Sequence, residues 1–147
     1  MVISFCGHAD YCSSPADEAR MQALLAEYVG DFPAEFLLGG YGRFDAFAHV
    51  CAEKYKSAHP QVSLILVTPY LPKKGRVAKE EGYDILLYPP IEHVPPRYAI
   101  YHRNRYMMEK ADVVIAYVRH KWGGAYQAYC HAKAKGKIVA PFERGRS

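Results

Sequence analysis

Cysteine is scarce in this chain, and where it occurs it is not paired in spacing. The four cysteines, Cys6, Cys12, Cys51 and Cys130, form no CxxC motif and sit mostly inside apolar patterns. That predicts reduced, buried thiols rather than a disulfide framework. Long hydrophobic runs are missing too: none approaches the about 20 apolar residues of a membrane span, and no signal-peptide pattern opens the sequence. A cytoplasmic protein with no membrane partner is therefore expected. Charge of one sign is also in short supply, with a formal net charge of only +4. The basic residues are dispersed among acids except at Lys73-Lys74, Arg103/Arg105, Arg119 to Lys121 and Arg144/Arg146. Such a field suits an anionic small molecule or leaves solubility alone, and falls short of the basic stripe of a nucleic-acid binder, so a nucleic-acid partner is not expected. Nor does any stretch read as a linker or as an Asn-Gly hairpin.

What is present is apolar material for one core: half of the 147 residues are hydrophobic and 23% are charged. This predicts a single domain over 1–147 that folds alone. Short β-rich runs alternate with helical patterns. Met1 to Cys6, Phe36 to Leu38, Val62 to Val67, Asp84 to Tyr88, Val113 to Val118 and Lys137 to Ala140 read as strands. Ser14-Pro15 with Asp17-Glu18 marks a helix start, followed by Met21, Leu24, Leu25 and Tyr28 at helical spacing. A second helix carries Phe44, Phe47, Ala48, Cys51 and Tyr55 on one face, a third begins after Pro96, and a last one spans Ala125 to Lys135. Lys73 to Gly82 reads as loop or short helix, and the proline-rich stretch up to Pro96 as a mobile flap over the sheet edge. The alternation predicts an α/β fold, a Rossmann-like three-layer domain with a mainly parallel sheet. Ligands of such sheets sit at the carboxyl ends of the strands.

Glycines mark those ends: Gly7, then Gly39-Gly40-Tyr41-Gly42, then Gly123-Gly124. A glycine turn opening a helix directs free backbone N–H groups and the positive helix end at one spot, which suits a phosphate. The same glycines could serve only tight packing of strand against helix. Of Arg103 and Arg105, two apart and so on different helix faces, Arg103 is expected to face the ligand, with Asn104 as a neighbouring donor. His8 either touches a phosphate or ribose or bonds the backbone locally. Cys6, His8 and Cys12 lack a fourth partner in register, so no metal is expected, and no cofactor is implied. Met107-Met108 reads as core. Among 13 tyrosines, Tyr41, Tyr101 and Tyr126 lie near the proposed loops and could stack on a base.

Taken in order, Phe5-Cys6-Gly7-His8, Gly39-Gly40-Tyr41-Gly42-Arg43-Phe44-Asp45, Val62 to Tyr70, and Arg103-Asn104-Arg105-Tyr106-Met107 leading through Ala111 to Ala116 into Gly123-Gly124 resemble the SLOG superfamily. This Rossmann-like group includes lonely-guy phosphoribohydrolases, Smf/DprA DNA-processing proteins and small stand-alone bacterial and phage members, which the chain resembles most. The resemblance covers nearly the whole chain. It implies a nucleotide-type ligand, including ADP-ribose-like or cyclic-nucleotide signals in antiphage defence, and a sensor or sequestering protein that self-associates into homo-oligomers. The ligand set it implies comprises Gly7, His8, Gly39, Gly40, Tyr41, Gly42, Arg43, Asp45, Arg103, Asn104, Met107, Gly123, Gly124, Ala125, Tyr126 and Gln127.

Hydrolytic members pair an arginine before the penultimate strand with a glutamate after the second glycine turn. Arg103 falls near the first position, but Gly123-Gly124-Ala125-Tyr126-Gln127-Ala128 has no carboxylate. Gln127 cannot act as a base, though its amide could bond a ribose hydroxyl. Binding without turnover is therefore favoured. An N-glycosidase or deoxyribosyltransferase using Asp45 and Arg103 is the alternative, and single-stranded DNA handling a weaker one. The central expectation is that the two glycine turns together cradle one polyphosphate.

Overall fold

Strand β1 (Val2–Gly7) starts the sheet because its side chains alternate between two dry faces: Ile3 and Phe5 point to one core, Cys6 to the other. The computed structural model describes residues 1–71 and 82–143. The stretch expected as loop or short helix therefore lies, up to its last residue, outside the described residues, as do Lys73-Lys74 and Arg144/Arg146. After β1 come α1 (Pro15–Tyr28), β2 (Ala34–Leu38), α2 (Arg43–Ala58) and β3 (Val62–Val67). They are followed by β4 (Ile85–Leu87), α3 (Ala99–Lys110), β5 (Val113–Tyr117), α4 (Gly123–Ala134) and β6 (Ile138–Pro141). The six strands form one sheet in the order β4-β3-β2-β1-β5-β6, and every pair is parallel.

Helices cover both faces. Met21 and Leu25 of α1 pack with Phe44, Ala48, Cys51 and Tyr55 of α2 against Ile3, Phe36, Leu64 and Ile115. On the opposite face, Met107 and Met108 of α3 and Ala128 and Ala132 of α4 meet Leu37, Ile65, Val114 and Ala116. The result is the expected three-layer, Rossmann-like α/β architecture. Stepwise addition outward from β1 to β4, then a return to β5 on the other side of β1, creates a switch point between β1 and β5. A crevice opens there at the strands' carboxyl ends.

Local chemistry sets several boundaries. Asp17 accepts hydrogen bonds from the Ser14 amide at 3.2 Å and the Tyr11 hydroxyl at 2.5 Å, fixing the start of α1. The fourth strand is shorter than the Asp84 to Tyr88 run. Asp84 spends its carboxylate on the Leu64 amide at 2.7 Å and pairs with Lys56, so regular pairing starts at Ile85. The proline-rich segment is anchored where it begins, since Pro89 and Ile91 are buried and Val94 closes a turn on Ile91 at 2.9 Å. A loosely held flap does not describe that part. The last helix begins at Gly123, two residues earlier than expected, after an extended Trp122. Gly123 has φ +88°, a conformation open to glycine, and the glycine pair is itself the first turn of α4. No helix among the described residues is long and apolar enough to cross a membrane.

Candidate functional site

Gly7 ends β1 against α2: a Cβ there would lie 2.3 Å from the Phe44 ring. This close approach seats the start of α2 beside the carboxyl ends of β1 and β2. Between that corner, α3 and the N-terminus of α4 lies a cleft of about 360 Å³. Of the sequence-predicted residues, Gly7, His8, Gly39, Tyr41, Asp45, Arg103, Asn104, Met107, Gly123, Gly124 and Ala125 line it.

Arg103 dominates its electrostatics. The side chain is 2% exposed, and Nη1 donates to the carbonyl oxygens of Gly39 at 2.7 Å and Val67 at 2.9 Å. Nε donates to Asn104 Oδ1 at 2.9 Å. These partners are neutral dipoles, and the described residues place no carboxylate in ion-pair contact with the guanidinium. Arg105, by contrast, bonds the Tyr101 hydroxyl at 3.1 Å on an exposed part of the same helix. Tyr101 is thereby committed to Arg105 rather than to the cleft.

The first glycine turn is not an open niche. Asp45 folds back so that Oδ2 accepts the Tyr41 amide at 3.1 Å, which engages that backbone donor of the loop. A Cβ on Gly39 would sit 3.1 Å from that oxygen and 3.2 Å from Arg103 Cζ. Burial pushes the Asp45 carboxyl up to about 6, although the Tyr41 amide and Arg103 pull it down. The second turn is open: a Cβ on Gly123 would meet nothing within 4 Å, and one on Gly124 only Asn104 Nδ2 at 3.9 Å. The expectation of paired phosphate niches is corrected accordingly. One niche holds its own carboxylate, because Asp45 lies in the first turn of α2 and returns to the glycine loop.

Five expected ligand residues lie off the cleft. Gly40 packs on Leu66, where a Cβ would approach Cδ1 to 2.8 Å, and Gly42 packs on Ala9 at 2.9 Å. Arg43 turns to the Cys12 sulfur at 3.4 Å and lines a second, more open cavity between the starts of α1 and α2. Tyr126 stacks on Tyr129, and Gln127 is exposed. Helical rotation turns Tyr126 and Gln127 away from the cleft while Ala125 and Ala128 stay on its wall, which sequence order alone conceals. Cys6 lines the floor, but burial pushes its thiol up to about 12, so it is an inert wall.

Sequence reasoning missed His120 and Trp122, both on the cleft wall. The only available signal was their position just before the glycine pair. His8, buried at the end of β1, accepts the Arg119 amide at 2.8 Å and the His120 amide at 3.4 Å through Nε2. Burial, with His120 nearby, lowers its pKa, while Asp10 opposes that. Neutral His8 thus holds the β5–α4 loop, the local backbone role weighed above.

Solved structures with this architecture align over nearly the entire chain. DNA processing protein A from Helicobacter pylori, described with a unique single-stranded DNA binding mode, is 18% identical at a TM-score of 0.62; the match covers 96% of this chain and 64% of that one. DprA from Streptococcus pneumoniae is 19% identical at a TM-score of 0.61, over 95% of this chain and 49% of that one. The structural-genomics target TM1055 is 14% identical at a TM-score of 0.60, over 94% and 71% of the respective chains. This chain therefore spans less than two thirds of either DNA processing protein. At such identities the likeness establishes the fold. No protein-family model matches the chain, and no curated protein matches it.

Proposed function

We propose that the chain binds a nucleotide-derived anion in the β1–β5 cleft, of the ADP-ribose or cyclic-nucleotide class that the SLOG resemblance implies, and does not turn it over. Arg103 carries this reading. A guanidinium that is 2% exposed, bonded to carbonyl dipoles and lining a cleft, faces only through space an Asp45 carboxyl that burial pushes toward its protonated form, so an anionic ligand would supply the direct ion-pair contact it lacks. Gly123 and Gly124 offer first-turn amides beside it, and the apolar remainder of the wall suits a sugar or base. The first turn of α4 contains no acidic residue to assist bond cleavage. In a defence setting, binding alone would sense or sequester the signal.

The raised pKa of Asp45 favours a second reading, an N-glycosidase or transferase in which this carboxyl is the acid. The likeness to DNA processing proteins favours a third, single-stranded DNA binding. One experiment separates them. The protein is equilibrated with a panel of mono-, di- and cyclic nucleotides and ADP-ribose, denatured, and the released small molecules are chromatographed. Intact ligand supports binding, and free base establishes cleavage. An oligothymidylate that binds more tightly than every nucleotide, with steep loss in salt, overturns both small-molecule readings.

A further inference from the structure

We propose that the exposed face of Trp122 is the stacking platform for a planar nucleobase of the ligand, the outer layer of a three-ring column built on β1. This rests on the reading of the cleft as a nucleotide site and specifies how the base is held. The column starts at His8, whose Nε2 is engaged by the Arg119 and His120 amides. His120 stacks on His8 with centroids 3.6 Å apart and planes 15° from parallel. Its Nδ1 bonds the Trp122 carbonyl oxygen at 3.1 Å, so the ring cannot turn without breaking that contact. Trp122 stacks in turn on His120 at 3.8 Å and 18°.

One indole face is thereby covered, yet the residue remains 68% exposed. The other face is open, and the indole lines the same cleft as Arg103 and Gly124. An isolated surface tryptophan needs no explanation. This one is braced by two rings and by backbone hydrogen bonds, so its orientation is set before any ligand arrives. Preorganisation removes the ordering cost that a mobile aromatic side chain incurs on binding. A fourth ring continues the column at ordinary stacking distance and leaves its sugar phosphate beside the glycine amides.

Trp122 is the sole tryptophan of the chain, so its emission reports on the platform alone. The intact protein is titrated with ADP and with ribose 5-phosphate, following fluorescence and calorimetric heat. ADP is expected to quench the emission saturably, whereas ribose 5-phosphate binds and competes without comparable quenching. Trp122→Ala is expected to weaken ADP by about tenfold or more and to leave ribose 5-phosphate unchanged. Trp122→Phe should recover part of the ADP affinity. If Trp122→Ala binds ADP as tightly as the parent, or weakens both probes equally, the platform assignment is overturned while the cleft reading stands. If neither probe binds the parent protein, both fall together.

Discussion

Arg103 Nη1 donates to the Gly39 carbonyl oxygen at 2.7 Å, tying α3 to the carboxyl end of β2. The same nitrogen reaches Val67 O at 2.9 Å, so a single buried group secures two adjacent strand ends and a cleft wall. On the proposed function, stability and anion affinity are therefore coupled at Arg103. Arg103→Ala is expected to cost about 2–4 kcal/mol in urea unfolding, because it leaves buried carbonyls without donors. Arg103→Lys keeps the charge but lacks the fork; it should recover part of the stability and less of the anion affinity.

Asp45 makes the fold sensitive to pH. Its carboxyl is raised to about 6 in the folded chain, against about 3.9 in an unfolded one. Protonated Asp45 is thus favoured by folding, and that contribution is complete below about pH 4 and lost as pH rises through about 6. Asp45→Asn should stabilise the protein by about 2–3 kcal/mol at pH 8 and hardly at all at pH 4, measured as the thermal midpoint at each pH.

Ionised Asp45 also lines the cleft and would repel the proposed anionic ligand. Affinity for sulfate, whose charge is constant over this range, should therefore fall between pH 5 and pH 7, and Asp45→Asn should flatten that profile. Calorimetric titration across this range provides the check. A profile that stays steep in the variant would assign the effect to another group.

His8 works in the opposite sense. Its pKa is lowered, so the fold favours the neutral ring, and this contribution is present above the ordinary histidine range and lost as pH falls through the folded value. Protonation places a hydrogen on Nε2, which then cannot accept the Arg119 and His120 amides. Acidification should shift those two amide resonances together and loosen the Trp122 stack, whereas His8→Ala should show the loosened loop at every pH.

Two glycines separate packing from binding. Gly7→Ala drives a methyl into Phe44, whose ring lies 2.3 Å from the Cβ position, and should cost about 1–3 kcal/mol or more. Gly124→Ala meets only Asn104 Nδ2 at 3.9 Å and should change stability by less than about 1 kcal/mol. Its methyl nevertheless intrudes on the cleft wall, so binding of phosphate ligands should weaken. Thermal melts paired with ligand titrations test both.

The sequence by itself determined the layered parallel sheet, because strand and helix periodicities are local and the β-branched runs of β3 and β5 admit burial on both faces. It also marked Gly7, Arg103 and the Gly123-Gly124 turn as points where backbone or charge is unusual for its surroundings. Only the tertiary structure decided which of these share one cleft. Asp45 closes the first glycine turn because α2 brings its carboxylate back onto the Tyr41 amide, a contact no periodicity encodes. His8 and Trp122 lie far apart in the chain, and they join one column because β1 and β5 are neighbours in the sheet. Periodicity specifies which face a residue occupies; strand order and helix rotation specify what lies opposite it.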